Sequence, residues 1–553
     1  MNKRFLSLLI VTSLLGSTLL GCSKTDKPTD NTGDSSKSSG TEATKYAIDD
    51  SKIKDPYGLP NDYSNYPVKG NPTIKIWWPI DGFQAVATKD MNTHEVWKEW
   101  QKLTGVNVEF QSPAVGQEND QFNIMISSGD LPDVIVQAAK YKGGVTAGID
   151  DGVYIDHKEI IDKFSPNYKK FRESDEDRRK TTLDDKGRVL GYYNLAPYSE
   201  WLWFGLLIKQ EAIDKTGLPV PETVDEWYTF LKKCKELGYD QPLNYGSTYG
   251  TIWTGLLNSA WGAYDWVYND NGTAKWGPAE PGMKEYLQTM AKWQKEGLLN
   301  KDWATADFTQ RMAGAASKDC AVIMDSPDTM WGAWKTDHNV DFVAAPYPVL
   351  KKGDKGQATM LHYKNGGWET AITTSASDEA KEAAAKFLDF GYTKKGWEIA
   401  NFGIEGKTHK INDAGMPYYP DDSIMYNDPE NIPLSNRVWK YKLHQGPFIR
   451  EEHKSNPLLV AKGSYSGKIR EYWQTNTSFE HAMPPFTFTP EEATKEAEVG
   501  TQLATLRTET FTKIIMGQLP ISAWDDFVNK AEQLGYKDWL KLYQSAMDRY
   551  NKR

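Results

Sequence analysis

The segment Phe122–Val136, FNIMISSGDLPDVIV, limits what this chain can fold into more than any other stretch. Phe122, Met125 and Ile126 fall at i, i+3 and i+4 and share one helical face. Gly129 stands where that helix should stop, because a residue without Cβ enters the left-handed region freely. Asp130-Leu131-Pro132-Asp133 makes a corner. Val134-Ile135-Val136 is a short, wholly apolar, β-branched run of the kind buried on both faces of a parallel sheet. A helix, a tight turn and a central strand specify an α/β architecture. Ligands of open α/β sheets bind outside the carboxyl ends of such strands, which directs attention to Gln137–Val145.

The flanking sequence extends the pattern. Thr73–Trp78 reads as a first strand. Asn92 can cap a helix with Glu95 at its third position, and Val96, Trp100 and Leu103 give that helix a buried face ending at Gly105. Val106–Phe110 alternates as a strand, which completes a doubly wound lobe. At 553 residues the chain is too long for one core, so a second lobe is expected. Asp151–Arg179 reads as polar surface helices. Leu190–Tyr193 and Trp201–Ile208 are strand-like, and the second of these is placed at the crossing between lobes. Thr223 and Glu226 form a capping box, and Asp270-Asn271-Gly272 is a hairpin turn. Gly282–Gly297 is a helix; Ala321–Met324 and Val340–Ala345 are strands. Trp368–Thr374 is the strand that returns to the first lobe. Ser377 caps an Ala-rich helix. Thr489, Pro490 and Glu492 together start a long helix, and two more follow near Ala523–Leu534 and Lys537–Tyr550.

The first residues are an address. Lys3 and Arg4 precede the apolar run Phe5–Leu20, a secretory signal ending in Leu19-Leu20-Gly21-Cys22. Ser23 to Thr44 is polar and reads as a flexible tether. No later stretch has the roughly 18 apolar residues of a spanning helix. A formal charge of -10 argues against nucleic acid as a partner. Cys234 and Cys320 fall in apolar surroundings and read as buried thiols, not as a disulfide or zinc site.

The LLGC step resembles a bacterial lipobox, which implies cleavage before Cys22, diacylglycerol on its sulfur and a lipid anchor at the cell membrane. The SGDLPDV turn, ADFTQRMAGAASKDCAVIMDSPDTMW, AAAKFLDFGYTKKGWEIANFGIEGKTH and the closing FTKIIMGQLPISAWDDF resemble, in order, the large lipoprotein branch of the family 1 extracellular solute-binding proteins. These are the receptor subunits of carbohydrate ABC transporters. The resemblance implies a two-lobed periplasmic-binding-protein-like α/β fold with interlobe crossing strands and a helical C-terminus. It implies a signal peptide over 1–21, a tether over 22–45, a first lobe of 46–197 plus about 368–440, and a second of 198–367 plus about 441–553. It also implies a monomer that takes an oligosaccharide and delivers it to permease subunits.

Composition agrees, with 21 Trp and 29 Tyr available to stack on the CH faces of sugars. Trp78 ends the first strand, with Asp81 just beyond; ligand contact and core are equally open for its ring. Tyr141 follows the central strand. Trp253 and Trp261 flank an apolar stretch. Trp203 reads as core. Trp331 follows the strand Ala321–Met324, where the resembling family places a stacking aromatic, and Trp368 begins the returning strand. Glu405 lies in GIEGK, which matches a cleft-facing motif of related oligosaccharide binders. Asp184-Asp185-Lys186-Gly187 and Asp270-Asn271-Gly272 invite a calcium reading but lack the EF-hand spacing, so no metal is expected. GSYSG at Gly463–Gly467 carries Tyr465 where a nucleophile elbow needs Ser, and no phosphate loop or dinucleotide fingerprint is present. Neither a catalytic residue nor a cofactor is therefore expected. The alternative is an anchored polysaccharide lyase or glycoside hydrolase, whose paired carboxylates have no local spacing to test.

Overall fold

A computed structural model of the chain describes residues 48–80, 82–244, 256–306, 310, 313–314, 317–329, 339–359 and 364–553. The signal, the tether and Cys22 lie outside them, as do Asp81, Trp253 and Trp331. The strands of the two larger sheets are, in chain order, β1 (Thr73–Trp77), β2 (Asn107–Gln111), β3 (Val134–Val136), β4 (Gly205–Lys209), β5 (Leu243–Asn244), β6 (Val322–Asp325), β7 (Phe342–Ala345) and β8 (Thr370–Ile372). The first sheet has the order β8-β3-β1-β2, parallel except for β8, and the second β5-β6-β4-β7.

The opening segment folds as its residues dictate. Its helix spans Glu118–Ser128, buries Phe122 and Met125, and ends at Gly129 with φ 72°. β3 is buried along its length between β1 and β8. The capping boxes at Thr223 and Thr489 form as read, as does the hairpin at Asn271-Gly272. Cys234 and Cys320 are free and buried, and burial pushes their thiols up to about 12 and about 11.

Three local readings need correction. Asn92 does not cap the helix Glu95–Thr104, whose N-cap is His94 without a side-chain bond. Asp90 caps a short turn ahead of it, and the Asn92 amide instead pairs with both backbone groups of Phe110, fastening the turn to β2. Asp151–Arg179 is not only surface, since Ile161, Tyr168 and Phe171 enter the core. Within Trp201–Ile208 only the part from Gly205 onward is strand.

Each sheet has its own core. The first gathers Ile74, Ile76, Trp97, Trp100, β3, Ala371, Ile372 and Phe387, and continues to Tyr441, Leu443, Phe448 and Ile449. The second gathers Leu206–Ile208, Trp227, Tyr286, Val322–Met324 and Trp473, with Phe511, Trp524, Trp539 and Tyr543 of the C-terminal helices. Three short segments join them and meet at Leu195, which bridges Asn365 on one side and Ile449 on the other. The third segment, around Ile449, has no signature in the sequence.

His157 fixes the returning strand. Its Nδ1 lies 3.2 Å from the Val189 carbonyl, and the Ile372 amide donates to Nε2 at 2.8 Å. That pattern requires the neutral ring, and burial lowers its pKa to about 4. The folded value lies below the unfolded one, so this stabilisation is complete above about pH 6.5 and is lost as pH falls through about 4. At 1.36 kcal/mol per unit, about 3 kcal/mol is at stake. Denaturant titrations at pH 7 and pH 4 should show His157→Gln losing less stability on acidification than the parent; equal losses would mean that other groups carry the acid sensitivity.

Candidate functional site

The carboxyl edge of the first sheet is built by three chain ends. β1 runs out at Trp77 into Trp78. β3 runs out into Gln137, whose backbone is left-handed at φ 60°. β8 enters through Trp368, left-handed at φ 55°, and Glu369. The Ala138 amide donates to the Glu369 carbonyl at 2.8 Å, so Gln137 and Glu369 are neighbours across the strand pair. Non-glycine residues held at positive φ cost of order 1–3 kcal/mol each and concentrate at binding sites.

Trp78 and Trp368 divide two roles that the sequence could not separate. Trp78 is 2% exposed, with its ring 5.2 Å from Trp97 and 5.9 Å from Phe110. Gly446 lies so close that a Cβ there would stand 2.9 Å from the indole. Trp78 is therefore a core pillar. Trp368 is half-buried, 6.0 Å from Trp78 and tilted 37° to it. Its ring is the one that reaches the edge.

Beside this edge the crossing segments carry a buried charge network. Arg450 pairs with Glu200 at 2.9 Å and with Glu452 at 3.5 Å; Arg470 pairs with Asp328 at 3.2 Å and with Glu452 at 3.7 Å. Burial alone would raise the Glu452 carboxyl, but the Arg450 and Arg470 guanidinia outweigh it and hold it below the usual range. Burial also raises Asp328, to about 6 despite Arg470. The His453 ring is sandwiched between Tyr198 at 4.1 Å and Trp201 at 3.7 Å, and burial keeps it neutral with a pKa near 4. Sequence reasoning missed these residues, because a charged residue read from sequence is assigned to solvent. The one available signal was the aromatic spacing Trp201/Trp203. Both rings are half-buried, while Leu202 and Phe204 between and after them are in the core.

On the second sheet, β6 ends at Asp325 beside the start of β4 at Gly205. The segment Leu195–Gly205 therefore leads from the first sheet's ligand edge to that of the second. Trp331 follows β6 outside the described residues.

The other expected residues do not gather here. Tyr141 is half-buried on the loop after β3, its hydroxyl donating to Asp151 at 2.8 Å and its ring edge-on to Tyr154. Trp261 leans on Tyr286 at 5.5 Å, against the second core. Glu405 pairs with Lys52 at 3.2 Å in a surface recess of about 260 Å³ shared with Glu99 and Lys102. Neither Trp78 nor Trp368 lines that recess.

The acidic turns are satisfied by cations of the chain itself. Asp184 binds Arg188 at 2.7 Å, Asp150 binds Lys186 and Arg188, and Asp270 binds Lys275 at 2.6 Å. Asp185 receives Arg549 at 2.6 Å from the last helix, whose Trp539 and Met547 belong to the second core, and Arg553 at 2.7 Å from just beyond its end. Among the described residues no cluster of three His, Cys, Asp or Glu is placed to hold a metal.

The chain matches the sequence pattern of the bacterial extracellular solute-binding proteins over residues 80–396. It is 25% identical over 527 residues to the lipoprotein LipO of Bacillus subtilis, covering 88% of this chain and 95% of that one. It is 22% identical to the fructooligosaccharide ABC transporter substrate-binding protein FusA of Streptococcus pneumoniae, over 88% and 92% of the two chains. Its fold superposes on the crystal structure of an extracellular solute-binding protein from Bifidobacterium longum subsp. infantis with a TM-score of 0.70, at 21% identity, covering 87% of this chain and 99% of that one.

Proposed function

The chain belongs to the bacterial extracellular solute-binding protein family, and from that premise we propose that it captures an oligosaccharide outside the cytoplasm and hands it to an ABC importer. The observation that carries the reading is the half-buried Trp368 at the carboxyl edge of β3, backed by the core ring of Trp78. A flat, supported aromatic at a sheet's ligand edge suits the apolar CH face of a sugar. The relatives above, one named as a lipoprotein and one as a fructooligosaccharide receptor, support the same assignment. Binding without turnover is the reading that they favour over a lyase or hydrolase.

The lipid anchor is proposed at Cys22, on the LLGC step after an apolar leader. No helix among the described residues is long and apolar enough to cross a membrane, so the anchor would be what holds the protein there. Partnership with permease subunits follows from the proposed role. The three light segments meeting at Leu195 suit a hinge, which would let two lobes close on a ligand.

A thermal-shift screen over plant and microbial oligosaccharides tests the reading. A true ligand at 100 times its Kd should add about 2.7 kcal/mol of stability. The same mixtures, followed by chromatography, should contain intact glycan. Steady release of shorter products would replace the receptor by an enzyme.

A further inference from the structure

Glu369 is a carboxylate without a described partner. It is half-buried at the mouth of β8, and apart from its own backbone N–H no described residue hydrogen-bonds or ion-pairs with the side chain. The other carboxylates around the crossing differ in this respect: Glu200, Glu452 and Asp328 each face an arginine, and Glu451 accepts from Tyr57 and Tyr198. Burial raises the Glu369 carboxyl, and no cation among the described residues opposes it. Half-buried carboxylates lacking donors are held against their own desolvation, and such groups at a cleft mark a site awaiting donors.

Its neighbours supply the rest of a site. Gln137 is across the strand pair, with a side-chain amide that has no hydrogen bond within the described residues and can both donate and accept. Trp368 precedes Glu369 in sequence and offers a half-buried ring. Gln137 and Trp368 are both in left-handed backbone, φ 60° and φ 55°, although neither residue type favours it. The fold thus spends strain on aiming two adjacent side chains at one edge.

We propose that Gln137, Trp368 and Glu369 form one subsite of the oligosaccharide site, and that the unit bound there is a neutral, hydroxyl-bearing sugar rather than a uronic acid. The inference rests on the receptor function proposed above. An ionised carboxylate only accepts, and its two oxygens match two hydroxyl donors of one sugar ring. The amide of Gln137 takes a third hydroxyl, and the indole covers the CH face. A uronate in the same place would set a second carboxylate against Glu369 with no cation between them. The cations nearest in sequence are Lys140, which donates to Asn119, the exposed Lys142, and Lys364, which pairs with Asp175.

The test uses the full chain and two probe sets of three to five units. One set is neutral (malto-, cello-, manno- and fructo-oligosaccharides) and the other uronic (oligogalacturonides and alginate oligomers). Calorimetry should find a neutral ligand whose Kd rises about 10-fold or more in Glu369→Gln and in Gln137→Ala. The melting temperatures of both variants should stay within a degree or two of the parent, because neither side chain holds the fold together. Affinity of the parent should weaken on acidification, while that of Glu369→Gln stays flat. A neutral ligand whose affinity both variants leave unchanged overturns the subsite but not the receptor. Binding confined to uronic oligomers, strengthened in Glu369→Gln, overturns the sugar class and again leaves the receptor intact. Silence across both sets overturns the receptor reading and this one with it.

Discussion

Trp78→Ala should lower the stability of the protein by about 3–5 kcal/mol, the range for emptying a packed tryptophan site. The ring is 2% exposed and contacts Trp97, Phe110 and Trp368. Helix Glu95–Thr104 supplies one side of its pocket and β2 another, and neither can collapse into the gap without giving up its own partners. The indole Nε1 has no hydrogen-bond partner among the described residues, so Trp78→Phe removes a buried unsatisfied donor along with some volume. It should cost clearly less than the alanine change. Trp368→Ala should behave in the opposite sense, with modest loss of stability and loss of glycan affinity. Urea midpoints by circular dichroism and titration calorimetry on the three variants decide the matter. If Trp78→Ala keeps its midpoint and loses only affinity, the buried ring is the sugar platform and the two tryptophans exchange roles.

How much of this was legible beforehand follows from what kind of force fixes each feature. β3, the helix before it and Gly129 are local: apolar periodicity and one left-handed position specify them, and they fold as read. The boxes Thr223/Glu226 and Thr489/Glu492 are equally local, because both partners lie within four residues. Asn92 misleads because Phe110, which is 18 residues away, bids for its amide against the helix terminus. The site is less legible still. Whether Trp78 or Trp368 reaches the surface depends on a backbone turn at φ 55° and on Gly446 closing over the other ring. Glu405 belongs to a resembling motif but pairs with Lys52, which lies 353 residues away in the chain. The third crossing segment, Ile449 and its flanks, shows no period at all, and its charges are buried only because three distant segments converge on them.

That convergence sets the second large effect. Glu452→Ala should cost about 3–5 kcal/mol, because a buried pair that loses one partner leaves the other charge uncompensated. Glu452 stands between Arg450 and Arg470 and also accepts from Asn456. Arg450 continues to Glu200 on the first crossing segment, and Arg470 to Asp328 beyond the end of β6 and to the Trp201 carbonyl. Removing the central carboxylate therefore concentrates two guanidinia in a poorly solvated space. The effect should persist at high salt, since buried pairs are screened far less than exposed ones. An exposed control such as Lys541→Ala, whose partner is Asp538, should fall within about 1 kcal/mol of the parent. Pairing Glu452→Leu with Arg450→Met should recover only part of the loss, because it removes one uncompensated guanidinium but leaves the buried Glu200 without its arginine. A double-mutant cycle reads this directly. Additive losses in the double variant would mean that Arg450 and Glu452 act separately, each through its other partners, and that the crossing is held by its backbone bridges rather than by its charges.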